Sequence, residues 1–144
     1  MVRPHIEFAN SVWCPYKLGD IKEIEKVQKT ATKLIIKLKN KPYSDRLFNL
    51  NLPTLKYRRL RGDMIEVFTI THNIYDKAVS PDLYFYARAS TRGNNYKLVS
   101  LPNSVVDAST VNAFKARLDK FWSHQAVKYD STADLTGTSC WVAL

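Results

Sequence analysis

Five lysines, Lys22, Lys26, Lys29, Lys33 and Lys37, recur at spacings of 4, 3, 4 and 4 residues. On a helix they share an arc of about 80° and run about 22 Å from first to last. An ammonium on a flexible stem is a point charge, suited to phosphate oxygens wherever they fall rather than to base edges. Arg58, Arg59 and Arg61, on a later helix, offer a second basic arm. Neutralising about five to seven phosphates would give a logarithmic salt slope of about −4 to −6. The same stripe can also be a solvated face that keeps a helix soluble, and spacing alone leaves both readings open. Tyr43, Tyr57 and Phe68 fall mostly on apolar faces, which disfavours base stacking by them.

The distribution of charge weighs on that choice. The chain has 144 residues, 22 Lys+Arg, 13 Asp+Glu and a formal charge of +9. Residues 17–61 hold thirteen of the bases and only Asp20, Glu23, Glu25 and Asp45 among the acids, so the entire excess lies there. A localised excess of this kind points to a polyanionic partner, here a nucleic acid met through its backbone.

Catalytic chemistry has no comparable signal. No two acids are adjacent, which leaves a two-metal carboxylate site without obvious ligands. His5, His72 and His124 lack the i, i+4 spacing that puts two imidazoles on one metal. Cys14 and Cys140 make neither a disulfide framework nor a metal pair. Asp63 and Glu66 read as solvated partners of Arg59 and its neighbours, and Cys14, between Trp13 and Pro15, as a small buried residue. The sequence therefore predicts no enzyme, no catalytic residue, no metal site and no cofactor.

The elements that position the lysines are helices. Asp20 is a plausible N-cap with Glu23 three residues on, and the helix is expected over 20–39. Ile21, Ile24, Val27, Ala31, Leu34, Ile35 and Leu38 share an arc of about 140° expected to face the core, with the lysines opposite. Asn40 and Pro42 stop it, and a short helix from Tyr43 carries Leu47, Phe48 and Leu50. Pro53 opens a long helix to about Tyr75, with Tyr57, Leu60, Met64, Val67, Phe68, Thr71 and Ile74 inward and Arg58 and Arg59 pointing away. Ser109 caps a last helix with Val111, Phe114, Leu118 and Phe121 at core spacing.

The expected fold is all-α: a small irregular helical bundle with a C-terminal helix and tail. Its divisions are a basic helical region over 1–77, a connection over 78–103, a helix over 104–125 and a tail over 126–144. The longest apolar runs are five residues, against roughly 20 for a membrane span, so no membrane association is expected. Arg3, Pro4, His5 and Glu7 stand where an export signal would need an apolar block. An intracellular location, nuclear or cytoplasmic, is the expectation.

Val2-Arg3-Pro4-His5-Ile6-Glu7-Phe8-Ala9 followed by Val12-Trp13-Cys14-Pro15-Tyr16 resembles a stretch of LINE-type, non-LTR retrotransposon reverse transcriptases of the jockey-like clade. The resemblance continues through Glu25-Lys26-Val27-Gln28-Lys29, Leu52-Pro53 and Tyr57-Arg58-Arg59-Leu60-Arg61-Gly62-Asp63. It resumes at Leu101-Pro102, Val111-Asn112-Ala113-Phe114-Lys115, Arg117-Leu118-Asp119-Lys120 and Phe121-Trp122-Ser123. It covers about residues 1–139. At Leu98-Val99-Ser100 the chain joins directly to Leu101-Pro102 where the family carries a longer stretch, as a deletion would leave it.

In that family the matching stretch follows the palm and forms the helical thumb, which grips the template–primer duplex. The resemblance thus implies a fragment of an RNA-directed DNA polymerase without the palm and its catalytic aspartates. Its partners would be an RNA or DNA template–primer duplex and the missing palm. A helical protein-interaction module, or a relic without a selected role, is the alternative expectation.

Overall fold

The computed structural model describes residues 17–76, 78 and 101–136. The block 2–16 that opens the resemblance, Cys14 within it, the junction at Leu98-Val99-Ser100 and Cys140 lie outside the described residues. Those described form helices and turns with no strand, as the all-α expectation requires.

The lysine-rich run forms helix α1, Leu18–Lys33. It begins two residues before the expected cap, so Asp20 lies in the first turn, near the positive end of the helix dipole. It also ends early: Leu34 closes it, Ile35 is extended, and Ile36–Leu38 make a separate 3-10 turn. Helix α2, Tyr43–Asn49, follows Pro42, and helix α3, Leu55–Thr71, follows Pro53. Past residue 100 a short helix α4, Asn103–Val106, precedes α5, Val111–Phe121. The cap of α5 is Thr110 rather than Ser109, its side chain accepting from the Ala113 N–H.

Helices α2 and α3 end in the same way. After α2, the Asn51 N–H reaches the Phe48 carbonyl and the Leu52 N–H reaches the Leu47 carbonyl. After α3, Asn73 and Ile74 repeat this on Ile70 and Thr69. Asn51 and Asn73 have φ of 48° and 51°, the left-handed geometry this closure requires and asparagine tolerates. Asn73 therefore stops α3 short of Tyr75. The Tyr75 hydroxyl donates instead to the Glu66 carboxylate at 3.0 Å.

The chain divides into two compact units, with the boundary inside α3 between Asp63 and Met64. Of the described residues, one unit holds 17–63 with 125–134, and the other holds 64–76 with 101–124 and 135–136. The second unit has an apolar interior of Met64, Phe68, Leu101, Val105, Val106, Phe114, Leu118 and Trp122. Phe68 stacks on Phe114 with ring centroids 4.1 Å apart, and His72 stacks on Phe68 at 3.9 Å. Trp122 continues the Phe114–Leu118 line at i+4, while Phe121, expected inside, is 43% exposed.

The first unit is built differently. The residues of α1 that are buried are Glu25, Gln28 and Thr32, spaced i, i+3, i+7. That face is rotated by about 80° from the centre of the apolar arc. The expected core residues Val27, Leu34 and Ile35 are instead 42%, 80% and 39% exposed. Hydrogen bonding accounts for the rotation, because the start of α3 presents groups that only polar side chains can serve. Glu25 accepts from the Leu55 N–H, the first of α3, and from the Tyr43 hydroxyl. Gln28 donates to the Pro53 carbonyl at 3.2 Å. Arg46, 2% exposed, donates to the Lys29 carbonyl at 3.0 Å, placing a cation at the negative end of α1. Its guanidinium carbon also stands 5.4 Å from the Tyr43 ring centroid.

Residues 125–134 are a part of this unit rather than the expected tail. Val127 is fully buried in the 3-10 turn Ala126–Lys128. The Thr54 hydroxyl donates to the Val127 carbonyl and accepts from the Tyr57 N–H, while the Thr54 N–H donates to the Lys128 carbonyl. Lys56 holds the far end of the segment through the Ala133 carbonyl and the Asp134 carboxylate.

Candidate nucleic-acid interface

Helix α1 places four of the five predicted lysines together. Lys22, Lys26, Lys29 and Lys33 are all exposed and lie within its helical span. On ideal geometry they share an arc of about 60° and extend about 16 Å. Lys37 is exposed too, but it stands in the 3-10 turn beyond the break at Leu34–Ile35 and does not continue the straight row. The row lies on the flank of the buried Glu25–Gln28–Thr32 face, about 100° around the helix, rather than opposite the core.

The electrostatics of this flank follow from which acids reach it. Residues 17–41 hold eight lysines and three acids. Glu25 is buried and accepts hydrogen bonds inside the fold, so its carboxylate does not lie among the exposed ammonium groups. Glu23 meets Lys26 at 3.5 Å with both side chains about 70% exposed, a pair that solvent and salt weaken to little. Lys29 Nζ stands 6.0 Å from the Tyr43 ring centroid. Lys17, Lys39 and Lys41, outside the predicted stripe, are also exposed and bracket the row in sequence.

The expected arginine arm is not formed as predicted. Arg59 is 5% exposed, and Arg58 and Arg61 are half-buried. All three already interact with other groups of the chain. The reason lies in α3, which is buried on two opposite sides: Tyr57, Met64, Phe68 and Thr71 line one, while Leu55 and Arg59 share the other. An arginine that shares a buried side with Leu55 cannot be presented to a ligand. Lys56, on the same helix, is committed to Ala133 and Asp134.

Aromatic groups divide clearly. Tyr57 and Phe68 are 4% and 0% exposed, and the Tyr43 hydroxyl is given to Glu25, so none of these three offers a free ring. Phe48 is 69% exposed, although its position in a short apolar run gave no sign of it. Glu25, Gln28, Arg46 and Thr54 were also missed as interior residues. The i, i+3, i+7 spacing of Glu25, Gln28 and Thr32 is a sequence signal for the first two, and Arg46 and Thr54 have none.

Among the described residues no cluster of three or more His, Cys, Asp or Glu side chains could hold a metal ion. No described helix is long and apolar enough to cross a membrane. No protein-family model, curated protein or solved structure matches the chain.

Proposed function

We propose that this chain binds the sugar-phosphate backbone of nucleic acids, without sequence readout, through Lys22, Lys26, Lys29 and Lys33. It does so as a catalytically incomplete counterpart of the reverse-transcriptase thumb that its sequence resembles. The observation that carries this is the row itself: four exposed ammonium groups along one flank of α1, while the carboxylate in their midst, Glu25, is turned inward. Such a row neutralises phosphates and releases their counterions, and it has no planar fork with which to read a base edge.

The test is a fluorescence-anisotropy titration of the pure chain with a hairpin primer–template duplex at several salt concentrations. Four phosphate contacts give an expected slope of about −3 to −4. Charge reversal at Lys22, Lys26, Lys29 and Lys33 removes the binding, while Lys37→Glu changes the slope by less than one contact. A folded chain that fails to bind at low salt overturns the proposal. Magnesium-dependent nucleotide incorporation by the pure chain would overturn its non-catalytic half.

A second reading is a helical protein-interaction module. It is favoured by Val27, Leu34 and Ile36, which are 42%, 80% and 90% exposed beside the lysine row. It is preferred if the four-lysine reversal leaves the chain's interactions intact.

A further inference from the structure

Phe48 stands on the last turn of α2 with most of its ring in solvent, yet it is not loosely held. Its ring meets Tyr129 edge-on, with centroids 5.4 Å apart and planes at 71°. Tyr129 is oriented in turn by its hydroxyl, which donates to Asn51 Oδ1 at 3.3 Å. Asn51 is the left-handed residue that closes α2, so the group that steers Tyr129 is itself fixed by backbone. Lys128 Nζ stands 5.5 Å from the Tyr129 ring centroid, and the Lys128 carbonyl is tied to Thr54. Two aromatic rings and an ammonium are thus preorganised at one edge of the unit that contains residues 17–61, where the whole positive excess of the chain lies. The acid next to Tyr129 in sequence, Asp130, accepts at Oδ1 from the Thr132 N–H and hydroxyl.

A phenylalanine 69% exposed gains little from burial, and its side chain offers a ligand nothing but a π-face and an apolar edge. Every nucleobase has a π-face, and stacking on an aromatic ring is tolerant of base identity. We propose that the Phe48–Tyr129 pair is a stacking platform for an unpaired nucleobase, with Lys128 meeting the phosphate beside it. This builds on the nucleic-acid reading above and adds to it a preference for backbone that bears unpaired bases over base-free backbone.

The test compares two labelled oligomers of equal charge and about a dozen nucleotides, one of thymidine and one abasic. The intact chain is expected to bind the thymidine oligomer about five- to thirty-fold more tightly. Phe48→Ala brings the two to the same affinity and leaves the affinity for a blunt-ended duplex, which has no unpaired base, unchanged. Phe48→Trp keeps the preference, and its emission is quenched by the thymidine oligomer but not by the abasic one. Circular dichroism and thermal melting establish that both variants fold.

Equal binding of the two oligomers by the intact chain overturns the platform while leaving the backbone reading in place. A preference that survives Phe48→Ala also overturns it. If the thymidine oligomer binds in a Phe48-dependent way but the duplex does not, the platform stands and the lysine row is the part that fails. If nothing binds at low salt, both fall. Self-association that Phe48→Ala abolishes, with thymidine binding unchanged, assigns the pair to protein contact and overturns the proposal.

Discussion

The unit around Phe114 buries Met64, Phe68, Leu101, Val105, Val106, Leu118 and Trp122, whereas the unit around Thr54 buries Glu25, Gln28, Thr32 and Arg46 beside Leu47, Leu55, Tyr57 and Val127. The first interior is held by contact area, which is non-directional and accepts small rearrangements at modest cost. The second is held by groups that must meet at hydrogen-bond distance, Glu25 to Leu55, Gln28 to Pro53, Arg46 to Lys29, Thr54 to Val127. Such groups give little net stability when satisfied and cost much when one partner is removed. What they fix is rotation: a polar interior sets which flank of α1 faces outward, and so where the lysines stand.

The largest expected effect lies in the apolar unit. Phe114→Ala removes a fully buried ring stacked on Phe68 and is expected to cost about 3–5 kcal/mol in denaturant unfolding. Loss of amide-exchange protection should concentrate in α5, and a cost below 1 kcal/mol would mean that this core is not close-packed.

Smaller, and the direct test of the contrast, is Glu25→Leu. It leaves the Leu55 N–H and the Tyr43 hydroxyl without their acceptor, at a cost of about 2–4 kcal/mol. Glu25→Gln keeps an acceptor and should cost less than half as much. If Glu25→Leu were neutral or stabilising, the comparison between a polar and an apolar interior would break.

The smallest effects are those of pH, and they run in opposite directions in the two units. In the Thr54 unit, the Thr132 hydroxyl and N–H hold the Asp130 carboxyl below its ordinary value. A depressed folded-state pKa gives stability that is present above the unfolded value near 4 and is lost as pH falls through the folded one. In the Phe114 unit, the hydrogen bond to Glu66 raises the Tyr75 phenol above 10. Its contribution is present below that value and is lost as pH rises through the raised pKa. Amide exchange should therefore loosen first around 130–133 in acid and around 72–75 in alkali. Thr132→Val, which removes the hydroxyl and keeps the backbone N–H, should weaken the acid response, and Tyr75→Phe should abolish the alkaline one, each without touching the other.

The same contrast explains what could be read from sequence. Apolar periodicity located α5 through Phe114 and Leu118, and α3 through Tyr57, Met64 and Phe68, because in those helices the hydrophobic side is the buried side. It located α1 but misjudged its orientation, since nothing in Ile24, Val27 and Leu34 reveals that Glu25 and Gln28 are needed by Leu55 and Pro53, some 25 to 30 residues away. The lysine row was legible because a side-chain arc depends only on helical geometry. Its extent was not, because the end of α1 at Lys33 is set beside Arg46, a partner on another helix. Arg59 misled for a related reason: a charge on a helix buried on two sides has no solvated side left to occupy.

The hydrogen bonds from Thr54 to Val127 and Lys128 also dictate an order of assembly. They close a loop of 73 residues, at an entropic cost of about 4 kcal/mol before any constant term. The residues between, 64–124, are nearly all of the other unit. A ribosome adding about 5–20 residues per second takes roughly 4 to 14 s to pass from Asp63 to Asp134. Until Val127 and Lys128 are made, Thr54 has neither of these partners, whereas residues 64–124 of the other unit are by then complete. The portion of the chain synthesised first therefore waits for residues 125–134, encoded after most of the other unit, before its bonds from Thr54 can form.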